Sequence, residues 1–255
     1  MEKLSLTVVM PALNEGKNIG EAVQNALAGF ARFGIDGEIV AVDDGSSDKT
    51  GAILAEWSRK DSRVRVISHP SPRGIGASFW DGVDQASKSA VVMLPGDNEN
   101  IPGEILKYLD LMDRVDIVVP FVVNRRVRST FRNALSSLFR LIVNASFGVS
   151  FNYTNGTCLY RRSILKGLGS RATGFFYQTD ILVRLAKRGY LFAEVPYELG
   201  RHGAHHTSKA LSLSSLLSVA WSYARLFWDV QIAAPKPAPG VPAADAATLL
   251  RRGRL

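Results

Sequence analysis

Short apolar runs alternate with amphipathic segments along the first half of the chain. The runs occupy residues 4–10, 38–42, 64–67, 90–94 and 115–119. Their length and β-branched content predict buried strands. Between them apolar residues recur at helical spacing, as at Ile19, Val23 and Leu27. Strands that alternate with helices form parallel sheets through right-handed connections. The pattern therefore predicts an α/β fold, with a mostly parallel, Rossmann-like sheet flanked by helices.

The rest of the chain continues less regularly. We expect helices near residues 131–142 and 181–187 and strands at 153–160 and 190–195. The region after residue 211 has leucines and aromatic residues on one helical face and serines on the other. We predict a catalytic domain at 1–210, an amphipathic helix at 211–232 and a flexible, Ala/Pro-rich basic tail at 233–255. The helix would pack on its own domain, on a partner subunit or against a bilayer.

Composition narrows the class of protein. Hydrophobic residues make up 46% and charged residues 21% of the chain, as in ordinary globular proteins. The net charge of +8 favours anionic partners. Cys158 is the single cysteine, which excludes an intrachain disulfide and a multi-cysteine metal site. The N-terminal apolar run is too short for a signal peptide, and no run reaches the roughly 18 residues of a membrane span. We therefore expect a cytoplasmic protein.

Polar and acidic residues follow three of the predicted strands. Residues 11–16 read PALNEG, residues 42–48 read VDDGSSD and residues 96–100 read GDNEN. Ligands of open α/β sheets bind where strands end. Asp97 and Glu99 are two residues apart, so an extended segment would point both carboxylates the same way, toward one Mg²⁺ or Mn²⁺. Taken alone, the stretch would favour a solvated turn, and the two upstream motifs are what shift the interpretation toward a metal site.

Basic residues suited to phosphate lie in three places. Arg73 stands beside two glycines at a predicted helix start. Four arginines precede or begin the next amphipathic helix: Arg125, Arg126, Arg128 and Arg132. Cations at a helix start are unfavourable unless an anion offsets them, although a solvated basic face is the alternative. Arg201 and Lys209 flank three histidines, and we favour a basic loop that closes over phosphates there above a zinc site.

The three strand-end motifs together resemble the family 2 glycosyltransferases, which have the GT-A fold. The resemblance covers residues 4–230 and is strongest to the dolichyl-phosphate mannose synthase and polyprenyl-phosphate glycosyltransferase branch. It implies an enzyme that uses a nucleotide-diphosphate sugar and a divalent cation. The residues it assigns to the nucleoside are Pro11, Asn14, Glu15, Asp43 and Asp44. Asp97 matches the second acid of the family's metal motif, but Pro95 replaces the first, and Glu99 stands where the branch often has Gln.

The expected reaction is inverting transfer of a hexose to polyprenyl phosphate. Charge develops on the leaving diphosphate, where a cation with Arg73, Arg201 and Lys209 could stabilise it. A phosphate acceptor is already an anion and needs the arginine cluster more than a base. A hydroxyl acceptor would need a base, for which Asp180 is the candidate. With a phosphate acceptor, Gln178 and Asp180 would instead position the metal or the sugar.

Other functions remain open on the sequence. The same donor chemistry could serve a soluble or glycan hydroxyl acceptor, and a non-catalytic, magnesium-binding α/β module is a further alternative. Nucleic-acid binding rests on charge alone, and we predict none. We expect peripheral association with the inner face of the membrane, and a homodimer is compatible with the late amphipathic helix. The base and the sugar of the donor cannot be derived from these motifs.

Overall fold

A single seven-stranded sheet forms the centre of the molecule, in the strand order β3-β2-β1-β4-β6-β5-β7. The structure is a computed structural model that describes residues 5–124, 130–198, 213–233 and 246–253, without the side chains of 130–132 and 213–216. The strands are β1 (Ser5–Ala12), β2 (Asp36–Asp43), β3 (Val64–Ser68), β4 (Ala90–Met93), β5 (Ile117–Val122), β6 (Leu159–Arg161) and β7 (Phe192–Tyr197). All pairs are parallel except those that β6 makes with β4 and β5.

Helices cover both faces of this sheet. They are α1 (Ile19–Phe33), α2 (Thr50–Lys60), α3 (Ile75–Gln85), α4 (Pro102–Leu106), α5 (Thr130–Phe147), α6 (Arg162–Lys166), α7 (Tyr177–Lys187), α8 (Leu213–Phe227) and α9 (Ala246–Arg252). A 3₁₀ helix spans Leu109–Asp113, and a π-helical turn, Trp228–Ala233, continues α8.

The central strands are buried on both faces because their side chains alternate between two cores. Val8 and Met10 of β1 pack with α1, α2 and α4, whereas Val9 packs with α3, α6 and α7. Continuous apolar runs are needed only where both faces are covered, and this is why the runs could be recognised in the sequence. The predicted mostly parallel α/β sheet is confirmed.

The predicted strand at 153–160 is wrong for most of its length. Only its end enters the sheet, as β6. Gly156 lies against Pro120, so close that a Cβ there would come within 2.9 Å of the proline ring. The main-chain N–H of Asn152 donates to Glu194 at 2.6 Å. These contacts hold the segment as a loop beside the sheet.

The tail predicted to be flexible contains an ordered helix. Helix α9 packs at the start of β5, where its Thr248 hydroxyl donates to Asp116 at 3.0 Å and Arg251 forms an ion pair with the same carboxylate. Asp116 is fully buried, and these partners compensate its charge. The composition of the tail predicted its basic character, but the buried partner lies far away in sequence. Residues 234–245, 254 and 255 lie outside the described part of the chain.

Candidate functional site

Three strand ends meet at one edge of the sheet because β1 lies between β2 and β4. The N–H of Asp44 donates to the carbonyl of Ala12 at 2.9 Å, and the N–H of Gly96 donates to that of Pro11 at 2.9 Å. Asp44 and Asp97 therefore flank the end of β1. We call this edge, residues 11–16, 43–48, 69–74 and 96–100, the strand-end site. The three motifs thus lie at one edge of the sheet, and their shared role in binding a ligand stays a prediction.

The loops after β1 and β2 are joined by short hydrogen bonds. Asn14, in a left-handed conformation with φ of 58°, accepts the N–H of Ser47 at 2.9 Å on its side-chain oxygen. Its own N–H donates to Ser46 Oγ at 2.9 Å. Asp43 Oδ1 accepts the N–H of Ser46 at 3.0 Å. The side chains of Asn14 and Asp43 thus fix the shape of this edge.

The two other predicted nucleoside residues of the first loop also support the backbone. Pro11 is buried in β1. Glu15 donates its N–H to Thr50 Oγ1 at 2.8 Å, and its carboxylate accepts the side-chain amide of Asn18 at 2.8 Å. Their assignment to the nucleoside, which comes from the family resemblance, stays a prediction.

Asp44 holds the segment between β3 and α3. Its Oδ1 accepts the N–H of Arg73 at 2.8 Å and lies 2.7 Å from Nδ1 of His69, while Oδ2 accepts the N–H of Gly74 at 2.9 Å. Burial raises the pKa of Asp44, but these three partners outweigh that effect, so its pKa lies below the ordinary value. The carboxylate is therefore ionised, and both of its oxygens accept hydrogen bonds from within the protein.

The acidic stretch is a turn, so the expected extended conformation is wrong. Asn98 has a φ of 58°, and Asp97 Oδ1 accepts the N–H of Glu99 at 3.0 Å. Asn25 of α1 donates to the Asn98 side chain at 3.1 Å. A short polar side chain tolerates the left-handed conformation that a tight turn requires. Asp97 and Glu99 nevertheless line one cavity, as predicted.

This cavity, of about 440 Å³, lies between the acidic turn and helices α5, α7 and α8. Its polar lining consists of Asp97, Glu99, Asn100, Ser136, Tyr153, Asn155, Thr157, Tyr177, Gln178, Thr179 and Tyr197. Its apolar lining includes Ile75, Met93, Pro120, Val122, Leu135, Phe139, Phe175, Phe176 and Val219. A carboxylate-bearing end and a largely apolar wall share one space, which suits a ligand with a charged head and an apolar body.

Gln178 lies in the cavity wall, and its role in positioning the metal or the sugar stays a prediction. Its amide donates to the carbonyl of Gly156 and to Sγ of Cys158 at 3.0 Å. It therefore holds the loop that forms the opposite wall. Cys158 is buried, which raises the pKa of its thiol to about 12, so it is a packing residue rather than a nucleophile.

Asp180 does not lie among the cavity-lining residues, which argues against its predicted role as a general base. Both of its carboxylate oxygens are 3.0 Å from Nε of Arg184, and Arg184 also contacts Asp229 at 2.7 Å. Burial raises the pKa of Asp180, and Arg184 opposes this shift only in part. One helical turn separates Asp180 from Arg184, so the ion pair follows from α7 itself. Arg184, through its contact with Asp229, links α7 to the π-helical turn after α8.

Most of the predicted phosphate-binding residues cannot be placed. Arg125, Arg126, Arg128, Arg201 and Lys209 lie outside the described residues, and Arg132 belongs to α5 but its side chain is not described. Arg73 is described, and its guanidinium contacts Asp81 at 2.6 Å. Sequence reasoning missed His69 and Asp81. The rule that ligand-binding residues follow strands would have found His69, which comes directly after β3.

Helices α5 and α8 pack side by side and expose apolar side chains. Phe147 of α5 contacts Tyr223 of α8 with ring centroids 5.8 Å apart. The exposed apolar residues of this pair and its π-helical turn, which we call the apolar face, are Leu135, Leu138, Leu141, Ile142, Leu217, Trp221, Phe227, Trp228 and Ile232. Leu135 also lines the cavity, so the two features adjoin. Among the helices of the described ranges, none combines the length and apolar character needed to cross a membrane.

Two groups of known proteins resemble this chain. An undecaprenyl-phosphate 4-deoxy-4-formamido-L-arabinose transferase of Pseudomonas fluorescens is 31% identical over 198 residues, 72% of this chain and 58% of that protein. A polyprenol monophosphomannose synthase of Mycolicibacterium smegmatis is 29% identical over 202 residues, 74% of this chain and 75% of that protein. The chain spans about half the length of most formamido-arabinose transferases that it matches.

Solved structures share the fold at low identity. Mannosyl-3-phosphoglycerate synthase from Rubrobacter xylanophilus aligns with a TM-score of 0.71 and 18% identity over 94% of this chain and 79% of that one. Glucosyl-3-phosphoglycerate synthase from Mycobacterium tuberculosis, in complex with Mg²⁺ and UDP, aligns with a TM-score of 0.64 and 19% identity over 93% and 83%. The predicted GT-A fold is confirmed. Because the profile of the family described as glycosyl transferase family 2 matches residues 7–169, the chain belongs to that family.

Proposed function

We propose that the protein transfers a hexose from a nucleotide-diphosphate sugar to polyprenyl phosphate, with inversion at the anomeric carbon. The observation that carries this proposal is the cavity, which Asp97 and Glu99 line together with apolar residues of α5 and α8. Polyprenyl phosphate joins an anionic head to an apolar chain. The apolar residues would contact the chain, and a divalent cation held by the two carboxylates would offset their repulsion of the phosphate groups. The names of the curated relatives, undecaprenyl phosphate and polyprenol among them, support this acceptor.

A divalent cation, Mg²⁺ or Mn²⁺, fits the acidic turn. Magnesium in proteins is often bound by one or two carboxylates, with substrate phosphate and water as its other ligands. Asp97 and Glu99 would hold it, and no group of three or more His, Cys, Asp or Glu side chains suited to a metal occurs in the described ranges. When bound, the cation supplies stabilisation of the negative charge on the leaving diphosphate. The Mg²⁺ and UDP named for the mycobacterial structure support the same pairing.

The donor would lie along the strand-end site. Asn14 and Asp43 join the loops after β1 and β2, and Asp44 holds the main chain of Arg73. The Arg73 guanidinium, half exposed, would contact the diphosphate. Arg201 and Lys209 remain predicted contributors. A preformed set of charges stabilises developing charge without a reorganisation cost.

The acceptor would be bound as an anion. The predicted phosphate contacts Arg125, Arg126 and Arg128 immediately precede α5, whose Leu135 and Phe139 line the cavity. A phosphate monoester oxygen is already a nucleophile, so this acceptor requires no general base. The position of Asp180, paired with Arg184, is compatible with such chemistry and not with a hydroxyl acceptor that relies on Asp180.

The apolar face would rest on the inner leaflet of the membrane. Trp221 and Trp228 are exposed by 73% and 59%, and tryptophan is enriched where a protein meets the bilayer interface. The net charge of +8 favours anionic lipids. A second copy of the chain could cover the same face, which concentration-dependent sedimentation without lipid would reveal.

The test is transfer of radioactivity into lipid. The protein is incubated with Mn²⁺, membranes and radiolabelled nucleotide sugars that include hexose and pentose donors. Label is expected in the lipid extract, and Asp97→Ala should abolish it. A lipid extract without label from every donor would refute the acceptor assignment.

A soluble acceptor is the second candidate. Two of the solved structures that align with over nine tenths of this chain are synthases named for 3-phosphoglycerate, which is a water-soluble phosphate compound. The same assay separates the two cases. Label in the aqueous phase, together with no binding to anionic vesicles, would favour the soluble acceptor.

A further inference from the structure

His69 bridges two carboxylates at the strand-end site. The residue directly follows β3 and is buried. Its Nδ1 lies 2.7 Å from Asp44 Oδ1, and its Nε2 lies 3.0 Å from Asp81 Oδ2 on α3. Both ring nitrogens thus face acceptor oxygens, and the ring connects the end of β2 to α3.

The two carboxylates hold two parts of the same residue. Asp44 accepts the main-chain N–H of Arg73 at 2.8 Å, and Asp81 accepts Nη1 of its guanidinium at 2.6 Å. Arg73 is therefore fixed at its backbone and at its tip, and His69 joins the two groups that fix it.

This arrangement limits the freedom of a side chain that solvent can still reach. The Arg73 side chain is 52% exposed, whereas that of His69 is only 5% exposed. A long side chain that is already oriented loses less conformational entropy when an anion binds to it. A guanidinium recognises phosphate oxygens best when its planar donors are correctly aimed.

We propose that His69 is a positioning residue for the diphosphate side of the site, and that it acts through Asp44 and Asp81 on Arg73. The inference rests on the proposed function, because a diphosphate is the leaving group of the donor. Neither the ring nor Asp81 touches the diphosphate; they set the position and orientation of the residue that does.

Substitution of His69 separates its two bonds. Asparagine places an amide nitrogen near the Nδ1 position and retains the contact with Asp44, whereas glutamine reaches the Nε2 position and retains the contact with Asp81. Binding of UDP, GDP, ADP and CDP with Mn²⁺ is measured by calorimetry. We expect His69→Ala to weaken the affinity for the nucleotide that binds about tenfold, because hydrogen bonds to two carboxylates are lost. His69→Asn and His69→Gln, which each lose one of these bonds, should weaken it about threefold.

Asp84 supplies the matched control. It also lies on α3 and also pairs with an arginine, Arg171, at 2.6 Å. Asp81→Asn should weaken nucleotide binding several-fold, and Asp84→Asn should leave it unchanged. Equal losses in both variants would overturn the role of Asp81, because they would reflect a general effect of charge.

A readout without ligand tests the bridge itself. The amides of Arg73 and Gly74 both donate to Asp44. Their hydrogen exchange in the free protein should accelerate in His69→Ala and stay near wild type in His69→Asn. Unchanged exchange in both would overturn the bridge. Should His69→Ala not fold, the contrast between His69→Asn and His69→Gln at these two amides decides the same point.

The outcomes separate this inference from the proposed function. A wild-type protein that binds none of the nucleotides overturns the donor assignment and, with it, the diphosphate role of His69. If the wild type binds one of the nucleotides and His69→Ala binds it equally tightly, the role of His69 alone is overturned.

Discussion

The strand-end site and the apolar face satisfy their side chains in opposite ways. In the strand-end site Asn14, Asp43 and Asp44 each make side-chain hydrogen bonds within the protein, so the shape of the loops is set before a ligand arrives. On the apolar face, side chains such as Leu141 and Trp221 are left more than 60% exposed. The comparison teaches that one half is preorganised, whereas the other gains most by burying its surface against a partner.

The start of α3 connects the strand-end site to the cavity, which in turn adjoins the apolar face. Asp44 holds the main chain of Arg73 and Gly74, and the next residue, Ile75, lines the cavity. The N–H of Ala77 donates to the carbonyl of Thr173 at 3.2 Å. A change at this junction should affect both halves, whereas a change elsewhere should affect one.

Neutralising Asp97 should impair the strand-end site and leave the apolar face unchanged. This is the largest effect that we expect. We expect Asp97→Asn to lower the transfer rate by about 10³-fold, or roughly 4 kcal/mol, because the cation that stabilises the leaving diphosphate loses a ligand. Initial rates of label transfer give the measurement. The control is Glu104→Gln, which removes a carboxylate paired with Lys107 at 3.0 Å. A comparable loss in the control would contradict the assignment.

A methyl group at Gly76 should open the junction. A Cβ there would lie 2.6 Å from the main-chain carbonyl of Thr173, so the two segments must separate. We expect Gly76→Ala to cost about 1–3 kcal/mol of unfolding free energy, measured by denaturant titration. Gly20 has the matching second position in α1, and its nearest contact would be at 3.6 Å. Gly20→Ala should stabilise by about 0.5–1 kcal/mol. Equal effects would show that the junction is not tight.

The position of the strand-end site could be predicted from the sequence, whereas the cavity could not. Strands with apolar residues on both faces end in polar residues, so Asp44 and Asp97 could be placed at one edge from local patterns. The cavity wall combines Phe139, Phe175 and Val219, which belong to distant segments. No local periodicity indicates that these residues meet. The pair of Asp180 with Arg184 follows the local spacing of α7, whereas the contact of Arg184 with Asp229 joins segments that are distant in sequence.

A charge placed on the apolar face should weaken membrane binding and leave the strand-end site unchanged. Trp221→Glu is expected to weaken binding to anionic vesicles at least tenfold, because burial of a large aromatic side chain contributes about 1.5–3 kcal/mol. Nucleotide binding should stay unchanged. Vesicle co-sedimentation measures the first quantity and calorimetry the second. Phe33→Glu changes an exposed aromatic residue on α1, outside the apolar face, and serves as the control. Equal losses of vesicle binding would argue against a defined membrane-facing surface.

The pH dependence of stability tests whether preorganisation depends on an ionised Asp44. Its pKa in the folded protein lies below the ordinary value of 3.8, so the folded state favours the carboxylate. The resulting stability is present above pH 3.8 and is lost as the pH falls through the lowered pKa of the folded state. Asp44→Asn should therefore cost about 1–3 kcal/mol at pH 7, the range for a charged hydrogen bond, and the difference from wild type should shrink below pH 4. Urea titrations between pH 7 and pH 3 give the measurement. Asp36→Asn removes an exposed pair with Lys88 and should cost less, about 0–1 kcal/mol. A difference for Asp44→Asn that stays constant down to pH 3 would mean that packing, rather than the charged carboxylate, holds Arg73 and Gly74 in place.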